Sequence, residues 1–147
     1  RTDACGKMRA LAGLLAKSHG ENARLAAAEK HKVLVFSWST QMLDIIQAFA
    51  KSQGYSHMRL DGSTPQSVRQ SMIDKFNNDP TIFLFLVSTR AGGVGLNLTS
   101  ANRVVLFDVN WNPAQDAQAQ DRAFRPGQTR RVQVYCLVAQ GCIEEVA

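Results

Sequence analysis

The chain is poor in the residues from which small reactive centres are usually built. Its 147 residues include 3 cysteines and 3 histidines. Cys5, Cys136 and Cys142 are odd in number and lack a CxxC spacing, so neither a disulfide framework nor a zinc site is expected. They read as reduced thiols of an intracellular protein without a disulfide-linked partner. His19, His31 and His57 are scattered and form no metal-ligand pattern. No apolar run reaches membrane-spanning length, and no signal peptide opens the chain, so a membrane partner is not expected. A Ser-His-Asp arrangement and a GxSxG elbow are absent. Asp108 and Asp116 stand too far apart from other acids to argue for an acid/base pair. The phosphate-binding pattern GxxxxGK[ST] is absent as well, since Gly6-Lys7 is followed by Met8 and follows no strand. Internal repeats and low-complexity tracts are missing, the nearest being the Ala-rich 23–30, which reads as a helix or a variable insertion.

What remains is an ordinary soluble balance, 45% hydrophobic and 20% charged, in a length that suits one domain with a real core. Net charge is +5 and the pI about 9.5, which fits an acidic partner such as nucleic acid and equally fits a solvated basic surface. Four basic residues crowd into 122–131.

Apolar patterning alternates between strand and helix. Met8, Leu11, Leu14 and Leu15 predict an amphipathic helix over 7–17, broken at 20–22. The continuous run Lys32–Ser37 predicts a strand buried on both faces. Thr40 is the expected cap of a helix reaching Gln53, with Met42, Ile45, Ile46 and Phe49 inward and Gly54 at its end. Strands are expected at 55–60, 82–87, 103–107 and 132–138. Helices are expected from Pro65 to Phe76, over 113–124 and from about Cys142. The strand at 82–87 is the most apolar and is expected to be central. This alternation implies an α/β fold, a parallel sheet with helices on both faces and right-handed crossovers. In such sheets ligands gather at the carboxyl ends of the strands. The polar clusters 37–40, 61–64, 88–97 and 108–112 fall at those ends.

Each cluster has a functional reading and a plain one. The glycines of 88–97 would let backbone N–H groups approach an anion, with Thr89 and Asn97 adding polar groups, or they serve only a tight turn. Asp61-Gly62-Ser63-Thr64 offers amides and hydroxyls at a helix N-terminus, or Ser63 or Thr64 is an ordinary cap. Arg69, one turn on, would neutralise a phosphate or be a solvated face residue. Trp111 would stack on a base or sugar, or plug a core edge. Arg122 and Arg125, three apart, share one helix face and suit a phosphate, or a solvated basic face.

Taken in order, Lys32–Ser37, Arg59–Thr64, Ser88–Leu98, Trp111-Asn112-Pro113 and Gln118–Gln128 resemble the motifs of the second RecA-like lobe of Swi/Snf-type chromatin-remodelling and repair ATPases. The resemblance runs from Cys5-Gly6-Lys7-Met8 to Gly141–Glu145. Asp61–Pro65, Arg69-Gln70-Ser71 and Asn102–Val105 look most like the Cockayne syndrome B-like excision-repair branch, particularly the excision-repair-like-2, or plant Switch 2, group. The resemblance implies a RecA-like three-layer α/β/α sandwich with a mostly parallel central sheet, one helicase C-terminal domain over 1–147 with 1–31 as a helical lead-in.

For function it implies the C-terminal motor lobe of a nuclear, ATP-dependent translocase on double-stranded DNA, possible nucleosomal substrates included. Arg122 and Arg125 would reach the ATP γ-phosphate, with Gln118 coupling the lobes. Gly93, Gly95 and Asn97 would lie near the nucleotide. Ser37, Gly62, Ser63, Arg69, Ser88 and Thr89 would follow the DNA backbone, and Trp111 would approach DNA. ATP and Mg²⁺ would be held mainly by an N-terminal RecA-like lobe, which these residues do not include. The expectation is therefore a fragment or truncated product that is inactive alone. Three residues depart from the family pattern: Trp38 stands where glutamine is usual, Pro126 where isoleucine is, and Cys142 where threonine is common. Pro126 also constrains Arg125. Other readings are a catalytically inactive DNA- or protein-interaction module, an RNA helicase lobe, or a generic nucleotide-binding domain.

Overall fold

A computed structural model describes residues 2–90, 98–107, 131–137 and 143–145. The chain begins with helix α1 (Thr2–Asn22) and passes through a short 3₁₀ turn (Ala27–Glu29). Strand β1 (Val33–Ser37) follows, then α2 (Thr40–Gln53), β2 (His57–Leu60), α3 (Gln66–Asn78), β3 (Leu84–Ser88), β4 (Arg103–Leu106), β5 (Gln133–Leu137) and β6 (Ile143–Glu145). The strands form one sheet in the order β2-β3-β1-β4-β5-β6. β1 to β5 pair in parallel, and β6 pairs antiparallel with β5.

The apolar runs produce this arrangement because both faces of the sheet are covered. Along β1, Leu34 and Phe36 enter a cluster with Ile73 and Phe76 of α3. Val33 and Val35 point the other way, into a cluster with Leu11 and Leu15 of α1 and Leu43, Ile46 and Ala50 of α2. β3 divides likewise, with Phe85 and Val87 toward α3 and Leu84 and Leu86 toward α1 and α2. Successive strand side chains alternate faces, so a strand between two helical layers must be apolar throughout. The result is the expected three-layer α/β/α sandwich. β1, between β3 and β4, lies deeper in the sheet than β3, although β3 carries the longer apolar run.

Several local expectations change. α1 continues through Gly20 to Asn22, where the side chain of Asn22 bonds the backbone of His31 on both sides (Oδ1 accepting at 2.6 Å, Nδ2 donating at 3.0 Å). Ser39, not Thr40, caps α2, its hydroxyl accepting from the Met42 N–H at 3.2 Å. Ile45 is 51% exposed, while Leu43 and Ala50 take inward positions beside Ile46. α3 begins after Pro65, which takes the cap position without a side-chain bond, and reaches Asn78 rather than Phe76. A helix was expected near Cys142, but 143–145 forms a strand; the open edge of β5 supplies the backbone partners that decide it. Gly54 ends α2 with φ 74°, the left-handed conformation that favours glycine. The expected helix 113–124 lies outside the described residues.

Phe85 is fully buried and meets Phe76 edge to face at 5.1 Å between ring centroids. Phe85→Ala should destabilise the fold by about 3–5 kcal/mol, measured by urea unfolding at constant m-value. A cost below about 1 kcal/mol would mean that the β3–α3 layer is not packed as described.

Candidate nucleic-acid interface

The parallel register brings the ends of β1, β2 and β3 together. Ser37 stands opposite Ser88, and Leu60 opposite Val87. The ladder runs one step further: the Thr89 N–H donates to the Ser37 carbonyl at 3.0 Å. At the β4 side the Phe107 N–H donates to the Phe36 carbonyl at 2.9 Å. The segments following residues 37, 60 and 88 therefore leave the sheet along one edge.

Ser37 and Ser88 are buried, at 0% and 1% exposure. Their hydroxyls hold the turns that leave the sheet. Ser37 Oγ accepts from the Ser39 N–H at 3.2 Å and donates to the Ser39 carbonyl at 3.3 Å. Ser88 Oγ accepts from the Arg90 N–H at 3.3 Å. Small hydroxyl side chains do this because they reach the backbone two residues on. Between them, Thr89 Oγ1 is buried and is the one such side-chain oxygen among the described residues without a hydrogen-bond partner.

The 61–64 segment is tied down from both sides. Asp61 accepts from the Ser63 N–H at 2.9 Å and from the Ser63 hydroxyl at 2.6 Å. The Asp61 N–H donates to Thr64 Oγ1, and the Thr64 N–H returns a bond to the Asp61 carbonyl, both at 3.0 Å. Arg59 Nε donates to Asp61 at 2.9 Å, and its Nη1 donates to Asp44 of α2 at 2.6 Å. The Asp61 contact is the weightier: Asp44 is 68% exposed, and exposed pairs contribute little. Arg69 donates to the Asp61 carbonyl at 3.3 Å and to the Thr64 carbonyl at 3.0 and 3.1 Å. Its guanidinium thus clamps the turn from α3, a role the sequence reading did not weigh. The Ser63 hydroxyl holds the Asp61 carboxyl below the usual carboxylate range; burial opposes this, and the Ser63 N–H and Arg59 reinforce it. Gly62 and Ser63 form the exposed tip.

Two residues outside the expected set meet at this edge. The Arg90 guanidinium lies 4.4 Å from the centroid of the Trp38 ring, and Trp38 is 44% exposed. The signal for the pair was positional: each follows shortly after one of two adjacent strand ends. For Arg59 it was the alternation of β2, which puts Arg59 and Asp61 on the same side of the chain.

The opposite edge carries another polar group. Asn102 accepts from the Lys32 N–H at 3.0 Å and its Nδ2 meets His31 Nδ1 at 2.9 Å, while Glu21 lies 2.8 Å from His31 Nε2. Lys32 Nζ donates to the Asp79 carbonyl at 2.6 Å and sits 4.2 Å from the Phe76 ring centroid. These bonds tie α1 and α3 to the strand starts, which accounts for His31 structurally. Among the described residues no three His, Cys, Asp or Glu side chains gather as a metal cage. Gly93, Gly95, Asn97, Trp111, Gln118, Arg122 and Arg125 lie outside the described residues.

Residues 6–127 match the helicase conserved C-terminal domain. The chain belongs to that family. Within it, the relatives are Swi/Snf-type remodelling and repair ATPases. The chain is 54% identical to Switch 2 of Arabidopsis thaliana over 97% of its own length and 16% of that protein's. It is 46% identical to the human DNA excision repair protein ERCC-6 over 95% of its length and 9% of that protein's. The crystal structure of the C-terminal part of the Fun30 ATPase domain superposes with a TM-score of 0.80 at 44% identity, covering 90% of this chain and 40% of that one. The chain thus spans about a sixth or less of the curated relatives named here, and the RecA-like α/β fold expected from the motifs stands.

The Asp61 contacts have a pH signature. Its folded-state pKa lies below its unfolded value, so its contribution is full above the ordinary carboxylate pKa and is lost as pH falls through the folded value. Asp61→Asn should cost about 1.5–3 kcal/mol near neutrality. The gap to the parent chain should shrink in thermal unfolding as pH falls through and below the ordinary carboxylate range. A gap that stays constant with pH would show that the charge of Asp61 is not what orders the turn.

Proposed function

We propose that this chain is the C-terminal motor lobe of an ATP-dependent translocase on double-stranded DNA, working in chromatin remodelling or repair and located in the nucleus. The observation that carries the proposal is the convergence of the 37–40, 61–64 and 88–90 segments on one edge of a parallel sheet, in a chain of this family. That edge offers an exposed loop tip at Gly62-Ser63, held rigid by Arg59, Asp61 and Arg69. A preordered loop loses little entropy when it meets a phosphate backbone.

In this reading the described residues act on DNA in two ways. Gly62 and Ser63 lie along the backbone track. Ser37, Ser88 and Arg69 position the loops through the bonds given above, and Thr89 sits between them with a hydroxyl available to a new partner. Trp111 approaches DNA and couples its binding to turnover.

Arg122 and Arg125 reach the γ-phosphate of ATP bound between this lobe and a facing N-terminal one, with Gln118 coupling the lobes and Gly93, Gly95 and Asn97 near the nucleotide, the last two by its ribose. Arginine forks match phosphate oxygens and stabilise the charge that gathers in phosphoryl transfer. Mg²⁺ is assigned, with ATP, mainly to the facing lobe, as the resemblance implies. Opening and closing of the two lobes then moves the DNA-gripping loops stepwise. Nucleosomal DNA is a natural substrate of such a motor, and strand separation is not required.

Arginine fingers contribute about 10³–10⁵ in rate only when a phosphate is held opposite them. ATP turnover should therefore be undetectable for the 147 residues alone and DNA-stimulated when they are joined to a P-loop lobe. In that two-lobe protein Arg125→Ala should lower turnover by at least about 10³ while leaving DNA affinity within about twofold. Surviving hydrolysis would remove Arg125 from the motor, and activity of the chain alone would overturn the half-site reading.

A further inference from the structure

The Trp38–Arg90 pair stands at the ends of two adjacent strands. Both side chains lie at the surface, Trp38 at 44% exposure, and neither belongs to the two core clusters. Arg90 forms no ion pair among the described residues, whereas Arg59 on the neighbouring strand is paired twice. A lone exposed arginine ordinarily samples many rotamers. Here it is held over an indole face 4.4 Å away.

The backbone around the pair is held by hydrogen bonds at both strand exits. Ser37 and Ser88 are register partners, and each accepts a bond from the N–H two residues on. Between these two turns the Thr89 N–H donates to the Ser37 carbonyl. The exit segments of β1 and β3 are thereby locked to each other. Trp38 and Arg90 are the side chains that this double turn presents to solvent, beside the 61–64 loop that follows β2.

We infer that Trp38 is a positioning residue for DNA: its ring holds the Arg90 guanidinium flat and ready for a backbone phosphate at this edge. A guanidinium lying on a ring face keeps its in-plane N–H groups available for oxygen acceptors, and those groups match a phosphate. The basic balance of the chain, +5 overall, suits the same ligand. The assignment rests on the proposed DNA-binding function and adds the residue that aims one of its cations.

The test is a double-mutant cycle on the intact protein, reading affinity for a labelled DNA duplex across a salt series, with thermal melts as a control for folding. Arg90→Ala should weaken binding and lower the salt slope by about one. Trp38→Ala should weaken binding about two- to fivefold while Arg90 is present, and not at all in the Arg90→Ala background. Trp38→Phe, which keeps a ring face, should restore most of the loss. Equal losses from Trp38→Ala in both backgrounds would overturn the inference, as would an unchanged affinity in a parent protein that does bind duplex DNA. An altered KM for ATP with unchanged DNA affinity would overturn it by assigning the pair to the facing lobe's nucleotide. A parent protein with no affinity for duplex DNA would overturn this inference and the DNA-binding function together.

Discussion

The structure depends on β1 being held in register between β3 and β4. That pairing places Ser37 beside Ser88 and Phe36 beside Leu106, and so decides which loops emerge next to each other. It also requires every side chain of β1 to be buried, since helices cover both faces. Burial of that many apolar groups supplies the driving force, and the parallel direction of the strands supplies the geometry. A one-residue slip would send Leu34 and Phe36 to the α1–α2 layer and Val33 and Val35 to the α3 layer. The candidate edge would then be built from different residues.

Charge on that edge is managed by local pairing. Arg59 and Arg69 approach the 61–64 turn from β2 and α3, and both hold Asp61, one through its carboxylate and one through its carbonyl. The turn is therefore rigid at its base and exposed at its tip. The serine turns after β1 and β3 repeat the theme with neutral groups, each hydroxyl fixing the direction in which the chain leaves the sheet. At the opposite edge, Asn22, His31, Lys32 and Asn102 serve packing, by linking helices to strand starts. One edge of the sheet thus carries the candidate site, while the other ties the helices to the strand starts.

The layers of the fold were legible because its signals are local. A continuous apolar run marks a strand buried on both faces, and Gly54 marks a helix end. The departures arise where packing and pairing with other elements override the local pattern. Ile45 is apolar and was expected inside, but Leu43, Ile46 and Ala50 occupy the face turned toward the sheet. Residues 143–145 read as the start of a helix, yet the edge of β5, whose paired residues lie only a few positions earlier in the chain, offers them hydrogen bonds. Of the candidate site, the segments were legible and the duties of single side chains were not. Ser37 and Ser88 read as separate candidates, but their side-by-side placement follows from a register between residues some fifty positions apart.

The amino-acid sequence by itself determined the alternation of strands and helices, the carboxyl-end placement of the polar clusters and, through its ordered motifs, the family. These depend on side-chain type and spacing, which are properties of short stretches. Only the tertiary structure decided that Arg69 clamps a turn instead of facing solvent, that Arg59 also reaches Asp44 of α2, and that Trp38 and Arg90 stack. The reason is physical: a long side chain takes whichever partner lies within about 3–4 Å, and that neighbour is set by how strands pair and helices pack, which no local stretch encodes.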